Sequence, residues 1–297
     1  MHSWLLLNSI RRKTTPSSWG SFFSRRRLII LFLSLPLFFT PGYHSLAEDQ
    51  TEVLEKETSP IVMPFQPGEK FVYKLRWGLV TAGYAELEVL PFEQINGERS
   101  WHFVLTARSS RFIDMFYKVR DRIESFTDDL LVSSFIYRKE QLEGKTHRQV
   151  EVIFDPEKKT VVYSDWGNKH EPLEVEDGTI DPLASIYFIR KSPLADNAKI
   201  TKPITDGKKN VLGQAFVVGR EKISVGGKKY DTFIVEPDLK GVRGVFEKSK
   251  RSKIRLWITA DERRLLVKLK SKVVIGSFTG TLIRMEIPPM IMAGGLS

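Results

Sequence analysis

Phe71-Val-Tyr-Lys-Leu-Arg-Trp77, the turn Gly78-Leu-Val-Thr-Ala-Gly83 and Tyr84-Ala-Glu-Leu-Glu-Val89 decide the fold. Large apolar side chains hold every second place (Phe71, Tyr73, Leu75, Trp77), while Lys74 and Arg76 take the other face. Successive side chains leave a pleated backbone on opposite sides, so period-two alternation with aromatic and branched residues predicts a half-buried strand. Gly78 and Gly83 bracket a turn, and alternation resumes at Ala85, Leu87 and Val89. The stretch reads as a hairpin opening an antiparallel sheet with one greasy and one wet face.

The same signal continues downstream. Asn96-Gly97 marks a tight turn, and Trp101, Phe103, Leu105 and Ala107 alternate with more polar neighbours. From Tyr117 the alternation sends Lys118, Arg120, Arg122 and Glu124 one way, and Tyr117, Val119, Asp121 and Ile123 the other. A strand from Ser134 to Leu142 turns at Glu143-Gly144 into a partner that puts Arg148, Val150, Val152 and Phe154 on one face. Asp121 and Arg148 therefore both fall on apolar faces. An isolated buried charge is costly and a hydrogen-bonded pair is tolerated, so the two are expected to meet inside the sheet unless both reach water at strand ends.

Asp155-Pro156 turns the chain into Val161–Tyr163. Asp181-Pro182 then opens the one persuasive helix, Leu183 to about Lys191, with Asp181 as N-cap and Pro182 where its missing N–H costs nothing. Leu183, Ile186, Tyr187 and Arg190 share a face of that helix. The second half repeats the hairpin theme, with strands expected at Ala215–Gly219, Lys222–Val225, Tyr230–Pro237, Lys253–Thr259, Leu265–Ser271 and Gly276–Arg284. The fold class is all-β and mainly antiparallel, a strongly curved sheet or open barrel with one short helix packed on it near residues 182–191.

Residues 1–47 read as a secretory signal peptide. Arg25-Arg26-Arg27 precede the apolar run Leu28–Phe39, and Ser45-Leu-Ala47 supplies the small residues for cleavage after Ala47. The run is short for a permanent span, although retention as an anchor and a twin-arginine route are the alternatives. Residues 48–66 are a linker, 67–287 one β-rich domain, and 288–297 a tail. The leader removes six of 46 basic residues and no acid, so the formal charge falls from +10 to +4. The high pI is then no argument for nucleic acid. With no cysteine, disulfides, thiolate metal sites and a lipidated N-terminal cysteine are excluded. The location these features imply is the periplasm.

Several pieces taken together resemble one family, exported bacterial proteins grouped as domain of unknown function 3108. They are Gly68-Glu-Lys-Phe-Val-Tyr73 with Gly78 and Ala82-Gly83; Phe112-Ile-Asp114 with Phe116-Tyr117 and Val119-Arg-Asp121; Glu143-Gly144 with Arg148; Asp181-Pro-Leu183 with Tyr187 to Arg190; Leu256-Trp-Ile-Thr259 with Asp261; and Ile275-Gly-Ser277. The resemblance implies a curved antiparallel envelope protein and brings no catalytic residue with it.

The chemistry is sparse. His102, His147 and His170 have no metal-ligand spacing and read as residues of exposed strand faces, so neither a metal nor a cofactor is expected. There is no Gly-x-Ser-x-Gly elbow. Asp114, Asp121, Glu143 and Asp261 supply the best acid/base candidates for sugar hydrolysis, against a simpler reading as turn formers. Tyr73, Trp77, Trp101, Phe103, Tyr117, Phe154 and Trp257 are expected to line one concavity, as plain core or as an apolar cleft suited to an acyl chain. Lys118, Arg120 and Arg122 form an outer basic stripe that, with the cluster Lys248–Arg255, suits anionic headgroups or polysaccharide. The leading expectation is a non-catalytic protein that binds a lipid or lipoprotein in the envelope. The alternatives are a module whose sheet edge pairs with another envelope protein, and a carbohydrate-active hydrolase.

Overall fold

The computed structural model describes residues 62–238, 254–272 and 277–289. The leader, most of the linker, the tail from Met290, and Lys248, Lys250, Arg251 and Lys253 of the basic cluster lie outside the described residues.

The strands alternate as the sequence does. In chain order they are β1 (Lys70–Trp77), β2 (Val80–Ile95), β3 (Glu98–Ser109), the single-turn helix α1 (Arg111–Asp114), β4 (Val119–Asp128), β5 (Ser134–Glu143), β6 (Thr146–Asp155), β7 (Thr160–Asp165), β8 (Asn168–Lys169) and β9 (Leu173–Glu174). Helix α2 (Ala184–Lys191) separates these from β10 (Lys199–Thr205), β11 (Asn210–Val225), β12 (Lys228–Asp238), β13 (Ile254–Thr259), β14 (Leu266–Lys272) and β15 (Ser277–Glu286). All fifteen belong to one antiparallel sheet, ordered β10-β11-β12-β13-β14-β15-β1-β2-β3-β4-β5-β6-β7-β8, with β9 also on β7. Two meanders are thus joined where the first strand pairs with the last, Phe71 opposite Met285 and Trp77 opposite Phe278.

The sheet curls until its ends approach without closing. The β10–β11 turn lies against β6 and β7, where a Cβ on Gly207 (φ +86°) would come within 2.7 Å of Val152. Ile180 bridges the gap in parallel with Ile204, through Ile180 N–H to Pro203 O and Thr205 N–H to Ile180 O, both 3.0 Å. Neither edge offers a long free ladder: β10 is seven residues long and bridged, and β7 is covered by β8 and β9.

Several readings are corrected. Ala215–Gly219 and Lys222–Val225 are one sixteen-residue strand, β11, with a bulge between Val217 and Gly219. Lys199–Thr205 was not expected as a strand; it carries Pro203, tolerated because β10 is an edge. Tyr117 lies not on a strand but in the loop before Val119. His102 is buried rather than exposed, stacked on Phe126 with ring centroids 4.2 Å apart and flanked by Glu93 at 2.8 Å and Glu124 at 3.2 Å.

One face of the sheet and α2 enclose the core. Inward side chains from every part of the sheet, among them Phe71, Leu87, Phe103, Val152, Val235 and Leu282, form one cluster with Leu183, Tyr187 and Ile189 of the helix segment. Asp181 sets the helix in place. Its Oδ1 accepts from the N–H groups of Leu183 (2.8 Å) and Ala184 (2.9 Å), and its Oδ2 from the hydroxyls of Ser125 (2.5 Å) and Ser134 (2.6 Å). The expected cap therefore also fastens the helix to β4 and β5. Burial pushes this carboxyl's pKa up against the pull of those four bonds.

Arg190 fixes the other end of α2. It is fully buried, and its guanidinium grips both Glu69 oxygens, Nη1 at 2.5 Å and Nη2 at 3.1 Å. It also donates to the carbonyls of Pro64 (3.2 Å), Arg263 (3.2 Å) and Arg264 (3.0 Å), and packs among Phe65, Phe71 and Tyr187. A bidentate pair with its remaining donors satisfied is the arrangement in which a buried charge is tolerated. Tyr187 stacks on Phe103 with ring centroids 3.7 Å apart. The helix thereby plugs the end of the curl near Glu69 and Arg264, called here the upper end. At the opposite, lower end the strands are joined by residues 78–79, 110–118, 144–145, 166–167 and 206–209.

Candidate functional site

The lower half of the inner face is the part that α2 leaves uncovered. Register fixes its layout. Leu75 faces Gly83 across β1–β2, Leu105 faces Ile123 and Ala107 faces Asp121 across β3–β4, and Asp121 faces Gln141 across β4–β5. Leu75, Leu105, Ala107, Ile123 and Leu269 are only partly buried and continue the core cluster downward. The upper core thus gives way to a half-wet apolar band.

A small polar group sits at the edge of that band. Asp121 accepts from the backbone N–H of Leu142 at 3.2 Å and from Gln141 Nε2 at 3.5 Å, and the same Nε2 reaches Glu143 Oε1 at 3.2 Å. Burial first, and the charge of Glu143 second, push the Asp121 pKa up to about 6. Lys139, one pair further in on β5, has its pKa lowered by burial, with Asp206 the largest charge pulling it back. Titratable groups held off their ordinary values in a concavity are candidates for function.

The Asp121 shift carries a pH signature. In the folded chain the carboxyl holds its proton up to about pH 6, and its ordinary value is 3.8. Over that window the folded state binds more protons, so this group's contribution to stability falls as pH rises from 3.8 to about 6 and stays lower above it. Half exposure screens the effect to about 1 kcal/mol. Asp121→Asn removes the penalty, so its melting temperature is expected to exceed wild type by about 2–4 °C at pH 7.5 and to match it at pH 3.5. A gain of equal size at both pH values would mean the shift is not electrostatic.

Asp121 and Arg148 do not pair. They lie in one row with Gln141 between them, so their Cα atoms are about 10 Å apart. Arg148 is exposed. The amide of Gln141, a neutral residue that the charge pattern gave no reason to notice, fills the role assigned to Arg148.

The aromatic residues separate into groups. Tyr73, Trp101, Phe103 and Phe154 are packed into the core rather than around an open cleft, and the Tyr73 hydroxyl donates to Leu266 O at 2.8 Å. Trp257 is buried on the opposite face from Leu256, its indole donating to Glu221 at 2.8 Å with the Lys268 ammonium over its ring. Trp77 and Tyr117 stand at the lower end, 49% and 47% exposed. Of the basic stripe, Arg120 is bound to Asp114 (2.6 Å) and Arg122 to Glu124 (2.7 Å), while Lys118 is exposed.

Of the other acids, Asp114 anchors the loop 110–118. It accepts from Arg120 and from the Ser109 hydroxyl, which hold its pKa down at about 2. Asp261 accepts from Thr259 at 2.6 Å and from Arg263 at 3.0 Å, beside an open groove of about 450 Å3 at the upper end lined by polar residues including Lys228, Lys229 and Asp231. Neither faces the Asp121–Glu143 group. Among the described residues no three His, Cys, Asp or Glu side chains are placed to hold a metal, and no helix is long and apolar enough to cross a membrane.

With the geometry in place, comparison with protein families matches residues 72–283 to the family described as "Protein of unknown function (DUF3108)". Among solved structures, a beta-barrel-like protein of domain of unknown function DUF1849 from Brucella abortus aligns with a TM-score of 0.51 at 14% identity, covering 77% of this chain and 100% of its own. A provisionally described lipoprotein from Parabacteroides distasonis reaches a TM-score of 0.31 at 10% identity over 75% of this chain and 97% of its own. A provisionally described exported protein with a YmcC-like fold from Bacteroides fragilis reaches 0.30 at 10% identity over 76% and 99%. The Brucella structure speaks to the barrel-like fold alone, and the other two are too distant to carry an argument. No curated protein matches the chain.

Proposed function

From a chain that belongs to the DUF3108 family, whose description names no activity, we propose a non-catalytic binder of an amphipathic envelope ligand, a lipid or the acyl chain of a lipoprotein, seated at the lower end of the inner face. The observation that carries this reading is the half-buried band of Leu75, Leu105, Ala107, Ile123 and Leu269, continuous with the core and left uncovered by α2. An apolar floor edged by a few polar groups is the usual make-up of a ligand site. Here Asp121, Lys139 and Gln141 form the polar edge, fit for a headgroup, while the floor is fit for a chain. The expected signal peptide, residues 1–47, supports a periplasmic location for this ligand.

The two other readings have less support. Pairing through a sheet edge needs a long free strand, and the edges here are short and bridged. The Asp121–Glu143 pair is the arrangement that favours a hydrolase, but both groups come from adjacent strands on one wall and share one amide. Glycosidase carboxyls flank the bond they cut.

Native mass spectrometry of the protein purified from its own periplasm tests the proposal. Bound acyl species are expected on wild type and are expected to be lost in Ala107→Trp, which fills the band while leaving the α2 contacts intact. Bare wild-type protein, or an adduct that survives the substitution, overturns it.

A further inference from the structure

The lower rim puts apolar side chains into water on a rigid frame. Leu79 is 89% exposed, Phe116 75%, Met115 69% and Phe112 56%. These residues are held there firmly. Ser110 donates its N–H to Ala82 O at 2.8 Å and its hydroxyl to Thr81 O at 2.9 Å, tying loop 110–118 to the β1–β2 hairpin. Asp114 grips Arg120 across the same loop. Tyr117 lies on Gly144 (φ +61°), where a Cβ would come within 2.7 Å of its ring. His147 beside that turn meets Trp166 of the next, ring centroids 4.7 Å apart. Four successive connections thus form one arc, and its apolar tips point away from the core. Exposed apolar patches held in place mark an interaction surface.

Charge indicates what covers it. Among the described residues, the five lower connections carry Arg111, Lys118, Lys145, Lys208 and Lys209, all exposed. Of their two acids, Asp114 is paired with Arg120, and Asp206, which accepts from the backbone N–H groups of Lys208 and Lys209, is a single negative charge against five cations. Apolar tips among an excess of exposed cations match the layered chemistry of an anionic bilayer, whose hydrocarbon takes the tips and whose headgroups take the ammonium and guanidinium groups.

We propose that this rim, centred on Leu79, Phe112, Met115 and Phe116 with Lys118 and Lys145 beside them, docks the lower end of the protein onto an anionic lipid surface. The docking does not depend on whether the inner face holds a ligand.

The cysteine-free chain allows a site-specific test. Leu79→Cys and Phe116→Cys, each carrying an environment-sensitive fluorophore, are mixed with vesicles of phosphatidylcholine alone or with 30% phosphatidylglycerol. The expected result is a blue-shifted, brightened probe at both positions with the anionic vesicles only. The control is Ile283→Cys, also about half exposed but on the outer face of β15, and it is expected to stay in its aqueous spectrum. Adding Lys118→Gln and Lys145→Gln is expected to raise the lipid needed for half-response by about thirtyfold, at roughly one basic residue's attraction each. Silent probes at 79 and 116 overturn the proposal, as does an equal response at 283. A rim whose probes ignore vesicles but report self-association would assign the surface to a second copy instead. The probes read the rim, whereas bound acyl species read the inner face, so the two proposals fail separately.

Discussion

Arg190→Met is expected to destabilise the protein by about 3–5 kcal/mol, because it leaves the Glu69 carboxylate buried without its partner. The pair is enclosed, Arg190 fully buried and Glu69 3% exposed. The loss reaches beyond the pair. Pro64, Arg263 and Arg264 each give a carbonyl to the same guanidinium, and a buried acceptor left unmade costs about 1–3 kcal/mol. This makes the double variant informative. Glu69→Leu with Arg190→Met removes both charges, and an isolated ion pair replaced in this way often loses nothing. Here the double is expected to recover only part of the loss, since the three carbonyls remain without a donor. Chemical denaturation of the two single variants and the double checks this. Full recovery would show that Arg190 matters only as the counter-ion of Glu69.

Asp181→Ala is the second large effect, expected at about 2–4 kcal/mol. A lost helix cap alone costs about 1 kcal/mol. Asp181 also receives the hydroxyls of Ser125 and Ser134, both buried on β4 and β5, and these would lose their acceptor in a site closed to water. Asp181→Asn keeps an acceptor oxygen of the same shape and is expected to lose much less. Equal losses for Ala and Asn would mean that the carboxylate's charge, and not its hydrogen bonds, holds α2 in place.

The fold was legible where alternation is strong and local. Val150 to Phe154 displays the pattern that its burial later obeys, whereas Val72, His102 and Val104 are buried against the alternation of their strands and Trp77 is half exposed. Helix α2 was legible because Asp181-Pro182 is a start signal. One face assignment failed on plain alternation: Trp257 follows the inward-facing Leu256 in regular register, Leu256 opposite Leu269 and Trp257 opposite Lys268, so period two sends it to the other face of β13. Tyr117 was misread because Gly144, far along the chain, and the Ser109–Asp114–Arg120 network hold its segment as a loop. Gln141 went unnoticed at the candidate site because an amide draws no attention beside the charged Asp121 and Arg148. The exposed apolar tips at Leu79 and Phe116 were hidden for another reason. Hydrophobic residues in sequence are read as core by default, and only the fold shows which of them have nothing to pack against.

The joining of β1 to β15 has a consequence for how the polypeptide comes to rest. The residue at the start of that strand and the one it faces, Lys70 and Glu286, are separated by nearly the whole span of the described residues. Bringing such distant segments together costs loop-closure entropy before any contact repays it. Until the final strand has been made, one flank of β1 lacks its partner, and this pairing is expected among the late steps of folding.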